Sequence, residues 1–119
     1  MKTDNIVADK SKAFAVRIIN LYKYLCDEKK EFVLSKQLLR SGTSIGANVK
    51  EALRGQSKDD FIHKMNISLK EASESEYWLE LLCETDYITK TQFDSIIADC
   101  CELIKILTSI IKSSRKEAQ

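Results

Sequence analysis

The chain has 119 residues, a net charge of +1, three glycines and no proline. This length suits one domain with one core over residues 1–119, and the scarcity of helix breakers predicts long helices. No apolar run reaches the roughly 20 residues of a membrane span, so we expect a soluble protein without membrane contact. The polar start has no signal-peptide pattern, which indicates the cytoplasm.

Charge is spread unevenly along the chain. Residues 1–58 carry 12 Lys and Arg against 6 Asp and Glu, a net charge of +6. Residues 59–119 carry 7 against 12, a net charge of −5. One half of the chain is therefore basic and the other acidic. The near-neutral total argues against the strong overall electrostatic field of a dedicated nucleic-acid binder.

The first predicted helix covers roughly residues 4–29. Thr3 or Asp4 can cap its start, and its apolar face gives way to the polar run DEKKE at 27–31. Apolar residues recur on one face at helical spacing, which predicts that this face packs in a core. They are Val7, Phe14, Ile18, Leu21 and Leu25.

The second predicted helix covers roughly residues 36–54. Ser35 can cap its start, and Gly55 can stop it. Gly42 and Gly46 lie one turn apart, and because they lack a Cβ we expect close packing of another helix there. The predicted core face holds Leu38, Gly42, Ile45, Val49, Ala52 and Leu53.

Two further helices are predicted at roughly 58–84 and 90–113. Ser57 can cap the third helix, and Asp59 and Asp60 suit the positive end of its dipole. Thr89 and Gln92 match a capping box before the fourth. Because the connections are short, consecutive helices should pack antiparallel. The sequence therefore predicts an all-α, up-down-up-down, left-handed four-helix bundle.

Little in the chain points to catalysis or metal binding. His63 is the only histidine, so no two-histidine metal site exists, and no nucleophile, acid and base are seen to converge. We expect no enzyme activity, cofactor, metal or small-molecule substrate. Four cysteines could form two disulfides, but they lie in apolar helical stretches and are predicted to be buried free thiols instead. They are Cys26, Cys83, Cys100 and Cys101.

The helices carry more apolar surface than one bundle requires. Helix 1 has a second apolar stripe about 100° from the first, and helix 4 has an apolar arc of roughly 200°. Such excess favours a homo-oligomer, although deep burial within one bundle is an alternative explanation. The candidate interface residues are Ala15, Ile19, Tyr22, Trp78 and Leu81.

A basic stripe follows helix 2 opposite its apolar face. Its members, Lys36, Arg40, Lys50 and Arg54, fall within roughly 80° of one another on the helix wheel. A stripe about 27 Å long can track a phosphate backbone, and copies in an oligomer would add up. The alternative is an ordinary solvated helix face. No aromatic residue interleaves the stripe, so base stacking is not suggested.

Two segments resemble the four-helix bundle family of 23S rRNA intervening-sequence proteins. They are LLRSGTSIGANVKEA (38–52) and DFIHKMNISLKEASESEYWLELL (60–82). The resemblance implies an up-down bundle that assembles as a ring, often a pentamer, and it extends over almost the whole chain. A related bundle, the accessory protein of diversity-generating retroelements, is a strongly basic pentamer that binds nucleic acid, whereas this chain is nearly neutral.

The family pattern R-S-x-x-S-I-x-x-N corresponds here to Arg40, Ser41, Ser44, Ile45 and Asn48. We interpret it as structural, because Ser41, Ser44 and Asn48 lie at the edge of the apolar face, where they can bond to a neighbouring helix and set its register. Two functional hypotheses remain. One is an oligomeric accessory protein that binds RNA or a ribonucleoprotein, and the other is a protein–protein scaffold without a nucleic-acid role.

Overall fold

Four helices make up most of residues 2–118, the part of the chain that the computed structural model describes. They are α1 (Lys2–Asp27), α2 (Leu34–Leu53), α3 (Lys58–Glu84) and α4 (Lys90–Ala118). Helices that follow one another in sequence pack side by side, and α1 also contacts α4, which closes the bundle. The body measures 48 × 21 × 20 Å. The prediction of an all-helical four-helix bundle is confirmed.

The starts of α3 and α4 are capped as the sequence predicts. The Ser57 hydroxyl accepts the backbone N–H of Asp60 at 3.0 Å. The Thr89 hydroxyl accepts the N–H of Gln92 at 3.1 Å, and the Gln92 side chain accepts the N–H of Thr89 at 2.8 Å. Each bond satisfies a backbone donor that has no partner within the helix.

The start of α2 differs from the prediction. The buried carboxylate of Glu31 caps it, accepting the backbone N–H groups of Val33 at 3.0 Å, Leu34 at 2.5 Å and Ser35 at 3.0 Å. The Ser35 hydroxyl instead donates to the Glu31 carbonyl at 2.7 Å. The expected Ser35 cap is wrong, because a carboxylate one turn upstream reaches more donors than a hydroxyl. The expected cap of α1 by Thr3 or Asp4 is wrong too, because α1 begins at Lys2 and both residues lie inside the helix.

The core is one cluster to which all four helices contribute. On α4 the buried core residues include Ile96, Cys100, Leu103 and Leu107. Ile96 and Leu103 belong to the part of the helix that widens the predicted apolar arc, and both point into the core. Much of the extra apolar surface predicted on helix 4 is therefore buried within this bundle, as the alternative explanation of deep burial predicts. The largest buried side chains are Phe14, Ile18, Leu25, Leu38, Ile45, Met65, Leu79, Leu82, Leu103 and Leu107.

Helices α1 and α2 approach each other closely at the two glycines of α2. A Cβ placed on Gly42 would lie 2.8 Å from Cγ1 of Ile18. One placed on Gly46 would lie 3.3 Å from the carbonyl oxygen of Ser11. The missing Cβ atoms therefore let the two helix backbones come together along this seam.

Candidate nucleic-acid interface

The predicted basic stripe lies on the outer side of α2, where Lys36, Lys50 and Arg54 are exposed. Within residues 2–118, none of these three forms an ion pair with an acidic side chain. Their charges therefore remain available to an anionic partner.

Arg40, the fourth member of the stripe, has a different environment. Its guanidinium pairs with Glu71 at 3.1 Å and with Glu74 at 2.5 Å, both on α3. The hydrogen bond from Arg40 is the main reason that the pKa of Glu74 is lowered, and the Trp78 indole N–H adds a bond at 3.1 Å. Arg40 is therefore committed to α3, and the stripe is interrupted at its position.

The neighbouring polar residues of α2 make two kinds of contact. The Ser41 and Ser75 hydroxyls lie 2.8 Å apart, so Ser41 joins α2 to α3. In contrast, the Ser44 hydroxyl donates to the Arg40 carbonyl at 2.6 Å, and the Asn48 amide donates to the Ser44 carbonyl at 2.8 Å. Both of these bonds stay within α2, because a helical Ser or Asn reaches the carbonyl one turn back more easily than a neighbouring helix.

Other cations of the basic half are paired with acids of the acidic half. Between α1 and α4, Lys10 pairs with Glu102 at 3.1 Å, and Arg17 pairs with Asp99 at 2.7 Å. Together with Arg40, these pairs use cations that face α3 or α4. The cations of the basic half without an ion-pair partner in residues 2–118 therefore lie on α1, on α2 and in the loop between them.

Two grooves flank the C-terminal half of α2. The groove between α1 and α2 has a volume of about 470 Å³, and the one between α2 and α3 about 970 Å³. Lys50 and Arg54 line both grooves. Lys12 of α1 lines the first, and Lys64 of α3, which pairs with Glu51 at 3.1 Å, lines the second. Sequence reasoning missed Lys12 because nothing local to α1 indicates that it faces the stripe.

The candidate interface residues for self-association lie on two surfaces. On α1, Ile19 is 37% exposed, and Ala15 and Tyr22 are half-buried. On α3, Trp78 and Leu81 are half-buried. The Trp78 ring packs against the core and against its exposed neighbour Tyr77, with ring centroids 5.3 Å apart. Each surface offers some apolar area to a partner.

No group of three or more potential metal-ligating side chains forms within the described residues. His63 is exposed on α3. All four cysteines are free thiols, as predicted, but only Cys100 is fully buried. Burial raises the pKa of Cys100 to about 12, so its thiol stays protonated at neutral pH. None of the helices over residues 2–118 is long and apolar enough to cross a membrane.

Comparison with known proteins identifies the family. The model of the family described as 23S rRNA-intervening sequence protein matches residues 3–109. The fold is similar to the crystal structure of a protein of unknown function from the S23 ribosomal protein family of Bacteroides thetaiotaomicron VPI-5482, with 64% sequence identity and a TM-score of 0.91. That match covers 92% of this chain and 98% of the other. No curated protein sequence matches significantly. The chain belongs to the 23S rRNA-intervening sequence protein family.

Proposed function

We propose that this protein is a non-enzymatic accessory factor that binds RNA or a ribonucleoprotein, as a homo-oligomer in the cytoplasm. The observation that carries the proposal is the set of exposed cations on α2 without acidic partners in the described chain, namely Lys36, Lys50 and Arg54. Phosphate contacts by Lys and Arg supply most of the sequence-independent affinity for nucleic acids. A pentameric ring, which the family resemblance implies, would multiply these contacts.

The test measures binding of purified, nuclease-treated protein to structured RNA by fluorescence anisotropy across a salt series. A steep fall of log K with log salt is expected, because each neutralised phosphate releases counterions. Lys50→Glu with Arg54→Glu should weaken binding by at least tenfold while circular dichroism shows an intact bundle. The matched control reverses two exposed charges on α4, Lys105→Glu with Lys112→Glu. Equal affinity of the α2 double variant and the wild-type protein would overturn the proposal.

A protein–protein scaffold without a nucleic-acid role is the second candidate. It is favoured by apolar side chains left exposed on α1 and α3, including Val16 at 52%, Ile19 at 37% and Tyr77 at 54%. Exposed apolar surface of this kind is often a site of protein association. These surfaces serve the RNA-binding proposal as well, since it also requires an oligomer.

The scaffold candidate is tested by the molar mass in solution from light scattering. Ile19→Asp or Trp78→Ala should lower the mass by disrupting assembly, whereas Ile6→Asp, at another exposed apolar position of α1, serves as the control. An unchanged oligomer in both variants would remove these two surfaces as interfaces. Loss of assembly without any RNA binding by the wild-type protein would favour the scaffold.

A further inference from the structure

The groove between α1 and α2 exists because short side chains line both helices. Gly46 lets the α1 backbone approach. Ala8 and Ala15 of α1, with Thr43 and Ala47 of α2, leave the space unfilled, and Val49 and Leu53 of α2 add apolar lining. The result is an open groove of about 470 Å³ on the surface of the basic half of the chain. Its shape follows from the close packing of α1 and α2.

Cations line this groove from both helices. Lys12 comes from α1, and Lys50 and Arg54 come from α2. All three are exposed, and none has an ion-pair partner within residues 2–118. Asp9 is the one carboxylate among the lining residues. A polyanion in the groove would meet cations from both helices, and the single acid would weaken its binding.

The lining residues include no aromatic side chain in this groove or in the larger one beside it. Proteins that bind single strands generally stack bases on aromatic rings, whereas double-helical RNA is recognised mainly through phosphates and 2′-hydroxyls. A groove with cations from two helices and no stacking surface suits the second mode.

We infer that the α1/α2 groove binds the phosphodiester backbone of double-helical RNA through Lys12, Lys50 and Arg54. This inference rests on the proposed RNA-binding function and narrows it to a ligand class and a footprint. Lys12 joins the interface, and Lys36, about four turns from Lys50 along α2, lies outside the groove. Arg40 takes no part, because it is held by Glu71 and Glu74.

The experiment compares a blunt RNA duplex with one of its strands alone, chosen to lack internal pairing, by fluorescence anisotropy over a salt series. The groove variant combines Lys12→Gln, Lys50→Gln and Arg54→Gln. A control variant with the same loss of charge combines Lys70→Gln, Lys105→Gln and Lys112→Gln, all at exposed positions of α3 and α4. Circular dichroism and thermal melting check that both variants keep the fold.

The wild-type protein should bind the duplex at least tenfold more tightly than the single strand. The groove variant should reduce the salt slope for the duplex by about 2 to 3, since each lost phosphate contact removes about 0.9. Lys12→Gln alone should reduce it by about 1. The control variant should leave the slope unchanged. Asp9→Asn should raise duplex affinity by about twofold at low salt, because one repulsive charge is gone.

The result has three distinguishable outcomes. The pattern above supports the groove as a duplex site. Equal binding of the single strand, equal loss in the control variant, or no effect of Lys12→Gln would overturn the groove inference while RNA binding itself stands. Absence of any RNA binding by the wild-type protein at low salt would overturn the proposed function together with this inference.

Discussion

Exposed ion pairs lie along both the α2/α3 and the α1/α4 seams of the bundle, but among the described residues the α2/α3 seam also has buried hydrogen bonds from side chains, which the α1/α4 seam lacks. Between α2 and α3, fully buried serines bond across the seam: Ser41 lies 2.8 Å from Ser75, and Ser68 donates to the Ile45 carbonyl at 2.8 Å. Between α1 and α4, the polar contacts are exposed ion pairs, with Arg17 and Asp99 side chains 41% and 46% exposed.

The difference shows how side-chain size and charge set the distance between helices. Small hydroxyls fit where two backbones come close, and they cost little to bury because each finds a hydrogen-bond partner. Long charged side chains need contact with water and span a wider gap. Consistent with this, α2 and α3 lie close together over more of their length than α1 and α4 do.

The largest expected effect comes from filling the tight seam. Ser75→Leu should lower the free energy of unfolding by about 3 kcal/mol, because a larger side chain overpacks the seam and the bond to Ser41 is lost. Ser95→Leu, on the α1/α4 side, should cost less than about 1 kcal/mol, because Ser95 is exposed and loses only its bond from Arg17. Urea unfolding followed by circular dichroism measures both. Similar losses in the two variants would contradict the contrast between the seams.

A smaller effect is expected at the rim of the tight seam, where Arg40 lowers the pKa of Glu74. A carboxyl whose pKa is lower in the folded state stabilises the fold above its unfolded pKa, and this contribution is lost as the pH falls through the folded pKa. Glu74→Gln should therefore cost about 1 kcal/mol or less at pH 7 and nothing in strong acid. Unfolding measured from pH 7 to pH 2 tests this, with Glu84→Gln as the exposed control. A cost that stays constant with pH would exclude the pairing as its origin.

The smallest effect is expected in the open seam. Arg17→Met should cost less than about 1 kcal/mol at low salt, because both partners are exposed, and the cost should shrink as salt screens the pair. The loss in Ser75→Leu should not change with salt, since packing is not screened. Urea unfolding at low and at high NaCl concentration separates the two behaviours. A salt-independent cost for Arg17→Met would mean that the α1/α4 seam is held by packing after all.

Local features of the fold were predictable because they depend on neighbours in sequence. The caps formed by Ser57 and by Thr89 with Gln92 involve residues three apart, so a short pattern contains the whole interaction. The cap by Glu31 uses the same physics, and it was missed because this residue sits in a polar run that looks like an ordinary loop. The apolar arc of α4 is so wide that the sequence does not show which of its residues face the core. Packing against the other helices places Leu103 and its neighbours there.

Only part of the candidate site could be predicted from the sequence. The wheel of one helix places Lys50 and Arg54 together, but it cannot show that Arg40 is held by acids 31 and 34 residues away. Nor can it show that Lys12 stands across a groove from them.

The sequence by itself determined that the chain forms four helices and that they pack as a bundle, and it predicted their ends closely except that α4 continues to Ala118 and does not end near residue 113. Periodicity and capping are local, so they need no knowledge of the neighbours in space. Only the tertiary structure decided which charges are paired and which remain free. Those outcomes depend on helices that meet across tens of residues, at distances set by glycine and serine in the seams.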